Sequence, residues 1–228
     1  MKDITELIAG FARFRGRYFS ENDSIYERLT KNGQTPKVMV VGCCDSRVDP
    51  AIVFDCDPGD LFVVRNVANL VPPCEADGHY HGTSAALEFA VRGIKVEHVV
   101  VMGHARCGGI QALLGQFSFG ADTGQFLGPW MSIAAQAREQ ATARFGNQPP
   151  EVLRRACEFA SIRISLKNLM SFPFVDAAVK AGQIALHGWY FDLESGELWG
   201  CNTELGEFIQ LAGATMGTPP HAAGSQPA

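Results

Sequence analysis

The chain has 228 residues, 19% of them charged, a formal net charge of −5 and seven cysteines. That length suits one domain with a sizeable core, and the mild acidity leaves no electrostatic footprint for nucleic acid or an anionic membrane. No apolar run is long enough to span a bilayer. An odd number of scattered cysteines argues against a disulfide framework and for thiols kept reduced, hence a cytoplasmic location.

The opening segment MKDITELIAGFARFRGRYF lacks the continuous apolar stretch of a signal peptide and carries acids at Asp3 and Glu6. Leu7, Phe11, Phe14 and Tyr18 recur at helical spacing, which predicts a packed amphipathic helix within a helical arm over residues 1–32. Residues 37–42, 61–65 and 97–103 are continuously apolar, β-branched runs suited to parallel strands buried on both faces. Between the second and third, TSAALEFAVRG has the composition of a crossover helix. Another helix starts at GIQALLG, and residues 129–169 have helical spacing broken by a turn at GNQPP. After Pro173 a short helix leads to a strand over 184–191, and LESGE turns the chain into a returning strand over 198–201. The tail from Gly213, rich in Gly, Pro, Ala and Ser, reads as disordered over 213–228. We therefore expect one α/β domain over 1–212. It has a central, mostly parallel sheet flanked by helices, an amino-terminal helical arm and a carboxy-terminal antiparallel hairpin.

Two strand ends carry chemistry. VVGCCDSR closes the first strand and VVVMGHARCGG the third. Ligands of open α/β sheets bind beyond the carboxyl ends of parallel strands, so Cys43 or Cys44 would meet His104 and Cys107 there. A His-x-x-Cys spacing lets both side chains face one ion from a single turn. A distant thiolate completes a Cys₂His set of the kind Zn²⁺ favours, with its fourth position left open. Either segment alone reads as ordinary core chemistry; two matching strand ends, one beside an acid and a base, favour a metal. Cys56, Cys74, Cys157 and Cys201 lack such company and read as small buried hydrophobes. His79, His81, His98, His187 and His221 read as surface or ordinary polar residues.

The pattern Cys43-x-Asp45-Ser46-Arg47 followed by His104-x-x-Cys107-Gly108-Gly109 resembles the signature of the β-class carbonic anhydrases, in their plant-like, type I-like branch. VVRNVANLVPP supports the likeness, as do SFPFV and HGWYFDLESGELWG more weakly, over residues 31 to 201. The resemblance implies reversible hydration of CO₂ to bicarbonate and a proton, with zinc held by Cys43, His104 and Cys107. Cys44 then occupies a variable position. Two thiolates cancel the metal's charge and make its water less acidic, so neighbouring groups must compensate. By resemblance Asp45, ionised and oriented by Arg47, accepts the hydrogen bond of the zinc-bound hydroxide, and Gln34 binds substrate. Phe62, Val67, Phe89 and Gly108 line the pocket; Phe89 stands where the branch often has tyrosine, so no phenol acts there. The family's amino-terminal helix packs on a partner subunit, implying a homodimer or a multiple of dimers with the cleft at that interface. A bicarbonate site in another branch uses a tryptophan, an arginine and a tyrosine. Arg65 matches the arginine, but Val40 and Phe191 replace the other two, implying an always-open enzyme without cooperative bicarbonate inhibition.

Rival chemistries fit less well. There is no Cys-x-x-Cys pair, neither Cys43 nor Cys44 opens a Cys-x₅-Arg loop, and VGCCDS has no glycine fingerprint. Hydrolysis of CS₂ or COS on the same scaffold, and a non-catalytic zinc-stabilised protein, remain as alternatives. Asp45, Arg47 and Gln34 speak against the second.

Overall fold

The computed structural model describes residues 2–19, 24–75, 77, 79–116, 124–202 and 206–213. The expected tail beyond residue 213 and His221 lie outside them. Asp3 and Glu6 form a reciprocal capping box that starts α1 (Ile4–Tyr18), and the Ser24 side chain caps α2 (Ile25–Asn32). The two helices meet through rings: Phe14 lies 5.4 Å and Tyr18 5.6 Å from Tyr26. The predicted helix is present, but within one chain its apolar stripe is covered only where Phe14 and Tyr18 meet α2. No residue of α1 is buried, and Leu7 and Phe11 are 56% and 64% exposed.

The valine-rich runs form strands where expected. In chain order the remaining elements are β1 (Val38–Cys43), α3 (Pro50–Val53), β2 (Leu61–Asn66) and α4 (Gly82–Glu88), which continues as a π-helical turn over Phe89–Ile94. There follow β3 (His98–His104), α5 (Gly108–Leu113), α6 (Leu127–Met131), α7 (Ala135–Phe145), α8 (Pro150–Leu169) and α9 (Pro173–Lys180). The sheet is completed by β4 (Ala185–Asp192), β5 (Glu197–Asn202) and β6 (Glu207–Ala212), in the order β2-β1-β3-β4-β5-β6. The first four strands are parallel and the last two antiparallel. The expected hairpin is thus extended by β6, whose Phe208 stacks on Phe159 of α8 at 4.1 Å. That contact is tertiary, and the short EFIQLA segment shows too little alternation to announce a strand.

Side chains alternate across the sheet as period two requires. Met39, Val41, Val99 and Val101 pack with Leu87, Ile162 and Leu166, while Val40, Val100 and Met102 pack with Val48, Ile110 and Met131. Pairing of Gly42 with Met102 ends β1 and β3 at nearly the same level. Two glycines then set the depth of α8. A Cβ at Gly103 would lie 2.6 Å from Ile162 Cδ1, and one at Gly188 would lie 2.8 Å from both Ile162 Cγ2 and Leu166 Cδ1. Of the four cysteines read as buried, only Cys157 is; Cys56 and Cys201 are half-buried and Cys74 is exposed, because their segments sit at the rim of the sheet or in loops.

Candidate metal centre

Cys43 closes β1, His104 closes β3, and Cys107 stands just before α5. All three are buried, and their donor atoms lie within 4.8 Å of one another. The two sulfurs are 4.0 Å apart. Two thiolates on one tetrahedral zinc, at Zn–S near 2.3 Å, would stand roughly 3.8 Å apart. His104 Nδ1 lies 2.9 Å from the Ala105 carbonyl, a geometry that puts the ring proton there and leaves a lone pair on Nε2. Nε2 is buried without a partner. A buried acceptor beside two sulfurs and nothing to accept from is what a metal ligand requires.

The electrostatics agree. Cys43 is drawn down to about 4, first by the Cys107 thiol, with His104 and the Asp45 N–H also helping against burial. Cys107 is pushed well above the ordinary thiol value by Cys43 and by burial. Two thiols this close resist joint ionisation, and a divalent cation removes the conflict by taking both as thiolates. Burial alone would lower His104, but the neighbouring Cys43 sulfur, with smaller help from the Ala105 carbonyl and Asp45, outweighs that and raises it. The donor set and its spacing fit Zn²⁺.

Beside this cluster Arg47 clamps Asp45 with two parallel bonds, Nε to Oδ1 at 2.9 Å and Nη2 to Oδ2 at 2.7 Å. The Asp45 carboxyl is held down at about 2, chiefly by that guanidinium. Arg47 Nη2 also donates to the Arg106 carbonyl at 3.3 Å, tying the two strand-end loops together. Arg106 has a left-handed backbone (φ 57°), which turns the chain sharply between His104 and Cys107. Arg65 is fully engaged: it donates to the carbonyls of Cys43 and Asp45 at 2.8 and 2.7 Å and to Asp49 Oδ2 at 2.7 Å. Val40 and Phe191 pack in the apolar cluster behind the site.

Other expected site residues divide by position. Val67 borders the centre, because a Cβ at Gly109 would lie 2.8 Å from Val67 Cγ1. Gly108 is exposed with open space beside it. Cys44 is also exposed and lines, with Asn66, Val67, Thr83 and Trp130, a cavity of about 870 Å³. Gln34, Phe62 and Phe89 are not brought to the cluster of their own chain. Gln34 precedes β1 and Phe62 pairs with Met39 near its start, whereas Cys43 ends it. The strand between them is roughly 16 Å long at 3.3 Å per residue. Phe89 follows Phe62, their ring centroids 5.8 Å apart. The histidines set aside include two pairs, His98–His187 at 3.2 Å and His81–Asp77 at 2.7 Å.

Sequence reasoning missed Glu158 and Tyr190. Glu158 Oε1 accepts the Cys107 N–H at 3.1 Å and Oε2 accepts the Tyr190 hydroxyl at 2.9 Å. An acid inside the apolar-rich CEFASIRIS is a visible anomaly, but nothing in the sequence connects it to Cys107.

Fold and site together define a class: a mostly parallel α/β sheet with a Cys₂His metal cluster at the carboxyl ends of its strands. A family model described as carbonic anhydrase matches residues 38–198. A curated relative, chloroplastic β carbonic anhydrase 5 of Arabidopsis thaliana, is 40% identical over 182 residues, 80% of this chain. The chain spans 59% of that relative's length. The solved structure of the β-carbonic anhydrase CcaA superposes with a TM-score of 0.84 at 30% identity, covering 92% of this chain and 93% of that one. A tetrameric β-carbonic anhydrase of Sordaria macrospora gives 0.72 at 26% identity, covering 90% and 96%. The chain belongs to the carbonic anhydrase family, in its β class.

Proposed function

We propose that the protein catalyses the reversible hydration of CO₂ to bicarbonate and a proton, using zinc held by Cys43, His104 and Cys107. The observation that carries this reading is the three-ligand cluster with its orphan His104 Nε2 beside a carboxylate clamped by arginine. Zinc bound by these three residues would bring the pKa of a water molecule into the neutral range. The chain's own groups do the rest. Asp45, ionised and committed to Arg47, keeps lone pairs free to accept the O–H of the attacking water and aim its oxygen at CO₂. Its engagement with Arg47 also keeps it from the metal. Arg65 donates to the carbonyls of Cys43 and of Asp45 itself, which ties down the backbone from which the Asp45 side chain projects.

Gln34, Phe62 and Phe89 stand apart from the cluster of their own chain, and their expected role would require a second copy, as in a homodimer or a multiple of dimers. The uncovered stripe on α1 and the tetrameric Sordaria macrospora enzyme support it too. The engaged Arg65, with Val40 and Phe191 offering no donor, supports the plant-like, always-open branch. The free thiols support a reducing, cytoplasmic setting, and the single sheet supports one domain over 1–212.

Stopped-flow CO₂ hydration on zinc-loaded protein tests the reading. We expect turnover, with simple rather than sigmoidal inhibition by added bicarbonate. Cys43→Ser should lose zinc and activity while Cys44→Ser keeps both. The reverse pattern, or CS₂ turnover without CO₂ turnover, would overturn it.

A further inference from the structure

Two of the three metal ligands are held by strands, and the third is not. Cys43 and His104 sit in β1 and β3, and the His104 ring is fixed by the Ala105 carbonyl. Cys107 lies past the end of β3, after the left-handed Arg106; its carbonyl accepts the Gln111 N–H of α5 at 3.0 Å, but no β-ladder takes its N–H. Its N–H finds an acceptor in a side chain from a distant helix, Glu158 of α8, at 3.1 Å. Glu158 is 3% exposed, and acids are almost never buried so far without a partner that needs them.

The nearest cation is a poor match: Arg154 Nε lies 3.8 Å from Oε1, and Arg155 is taken by Asp192. The remaining oxygen is oriented by the Tyr190 hydroxyl at 2.9 Å, itself fully buried. The close approach of α8 to Gly103 and Gly188 brings this carboxylate to the turn.

We propose that Glu158, oriented by Tyr190, is a positioning residue of the metal centre. Its carboxylate holds the backbone of Cys107 so that the thiolate stays aimed at Cys43 and His104. This rests on the metal-site reading above. Groups that orient ligands in this way typically change metal affinity by about 10–100-fold when removed.

The test loads the full-length protein and its variants with Zn²⁺, followed by release to a chromogenic chelator, and with Co²⁺, followed by thiolate-to-cobalt absorption. Glu158→Ala should release zinc about 10–100-fold faster than the parent and shift the cobalt bands. Glu158→Gln, which keeps an oxygen for the Cys107 N–H, should stay near the parent in both. Parental zinc release and a parental cobalt spectrum in Glu158→Ala would overturn the proposal, even if the variant melts earlier. Equal loss in both variants would overturn it too, by assigning the effect to charge. Should Glu158→Ala not fold, Tyr190→Phe decides: faster release supports the proposal and unchanged release refutes it. A parent protein that takes up neither zinc nor cobalt would instead sink the metal reading itself.

Discussion

Asp45 is one residue away from an exposed thiol and two from a buried one, yet its partner is a guanidinium. Arg47 meets both carboxylate oxygens and adds its own backbone N–H at 3.0 Å. The carboxyl falls from its ordinary 3.8 to about 2, so the charged pair favours the folded loop above pH 3.8. That contribution is lost as pH falls through about 2. Asp45 is therefore ionised throughout the neutral range, and the pH dependence of turnover there must come from another group. Asp45→Asn removes the charge but not the shape. It should retain zinc and lose about 10²–10⁴-fold of the CO₂ hydration rate, since a group that orients or accepts a proton contributes on that scale. Near-normal turnover in zinc-loaded Asp45→Asn would refute the role given to this carboxylate.

At the level of elements, the relation of α8 to the sheet decides how well the site is supported. Ile162 and Leu166 fill the space that side chains at Gly103 and Gly188 would need. Gly103→Ala would place a methyl 2.6 Å from Ile162 Cδ1 and 2.9 Å from Ile162 Cγ1. Ile162 is itself buried in the core, so its side chain or the helix that carries it must shift against packed neighbours. Overpacking of this kind costs about 1–3 kcal/mol. The denaturation midpoint should fall accordingly. A midpoint equal to that of the parent protein would show that α8 is not held by this contact.

For the whole molecule, one chain assembles the three-residue cluster but leaves Gln34, Phe62 and Phe89, expected around it, at a distance. The ligands lie within one chain, so a monomer should still hold zinc. The amide and rings at Gln34, Phe62 and Phe89 lie at the far end of β1, and the apolar stripe of α1 is left in solvent. A closed two-fold pair answers both needs at once. Replacing Leu7 and Phe11 together by glutamate should shift sedimentation to a monomer and abolish most CO₂ hydration, with zinc content unchanged. A fully active monomer would refute the shared pocket.

The parallel strands, the crossover helix and the meeting of His104 and Cys107 with one thiol of the Cys43–Cys44 pair were legible in the sequence because each is a local signal; the choice of Cys43 came from the family resemblance. A buried strand shows as a valine run, and a ligand pair shows as His-x-x-Cys at its end. The helical period of α1 was equally plain; periodicity reports a face and never what meets it, and only the family resemblance implied that this face is left for a partner subunit. Only the tertiary structure decided that Arg65 is spent on the Asp45 loop, that β6 extends the sheet, and that Gln34 lies a strand's length from the cluster of its own chain. The support of Cys107 by Glu158 belongs with these. Such contacts join residues far apart in the chain, and their existence depends on how closely α8 lies on β3 and β4. That distance is set by two absent side chains, at Gly103 and Gly188, whose meaning appears only when the helix is in place.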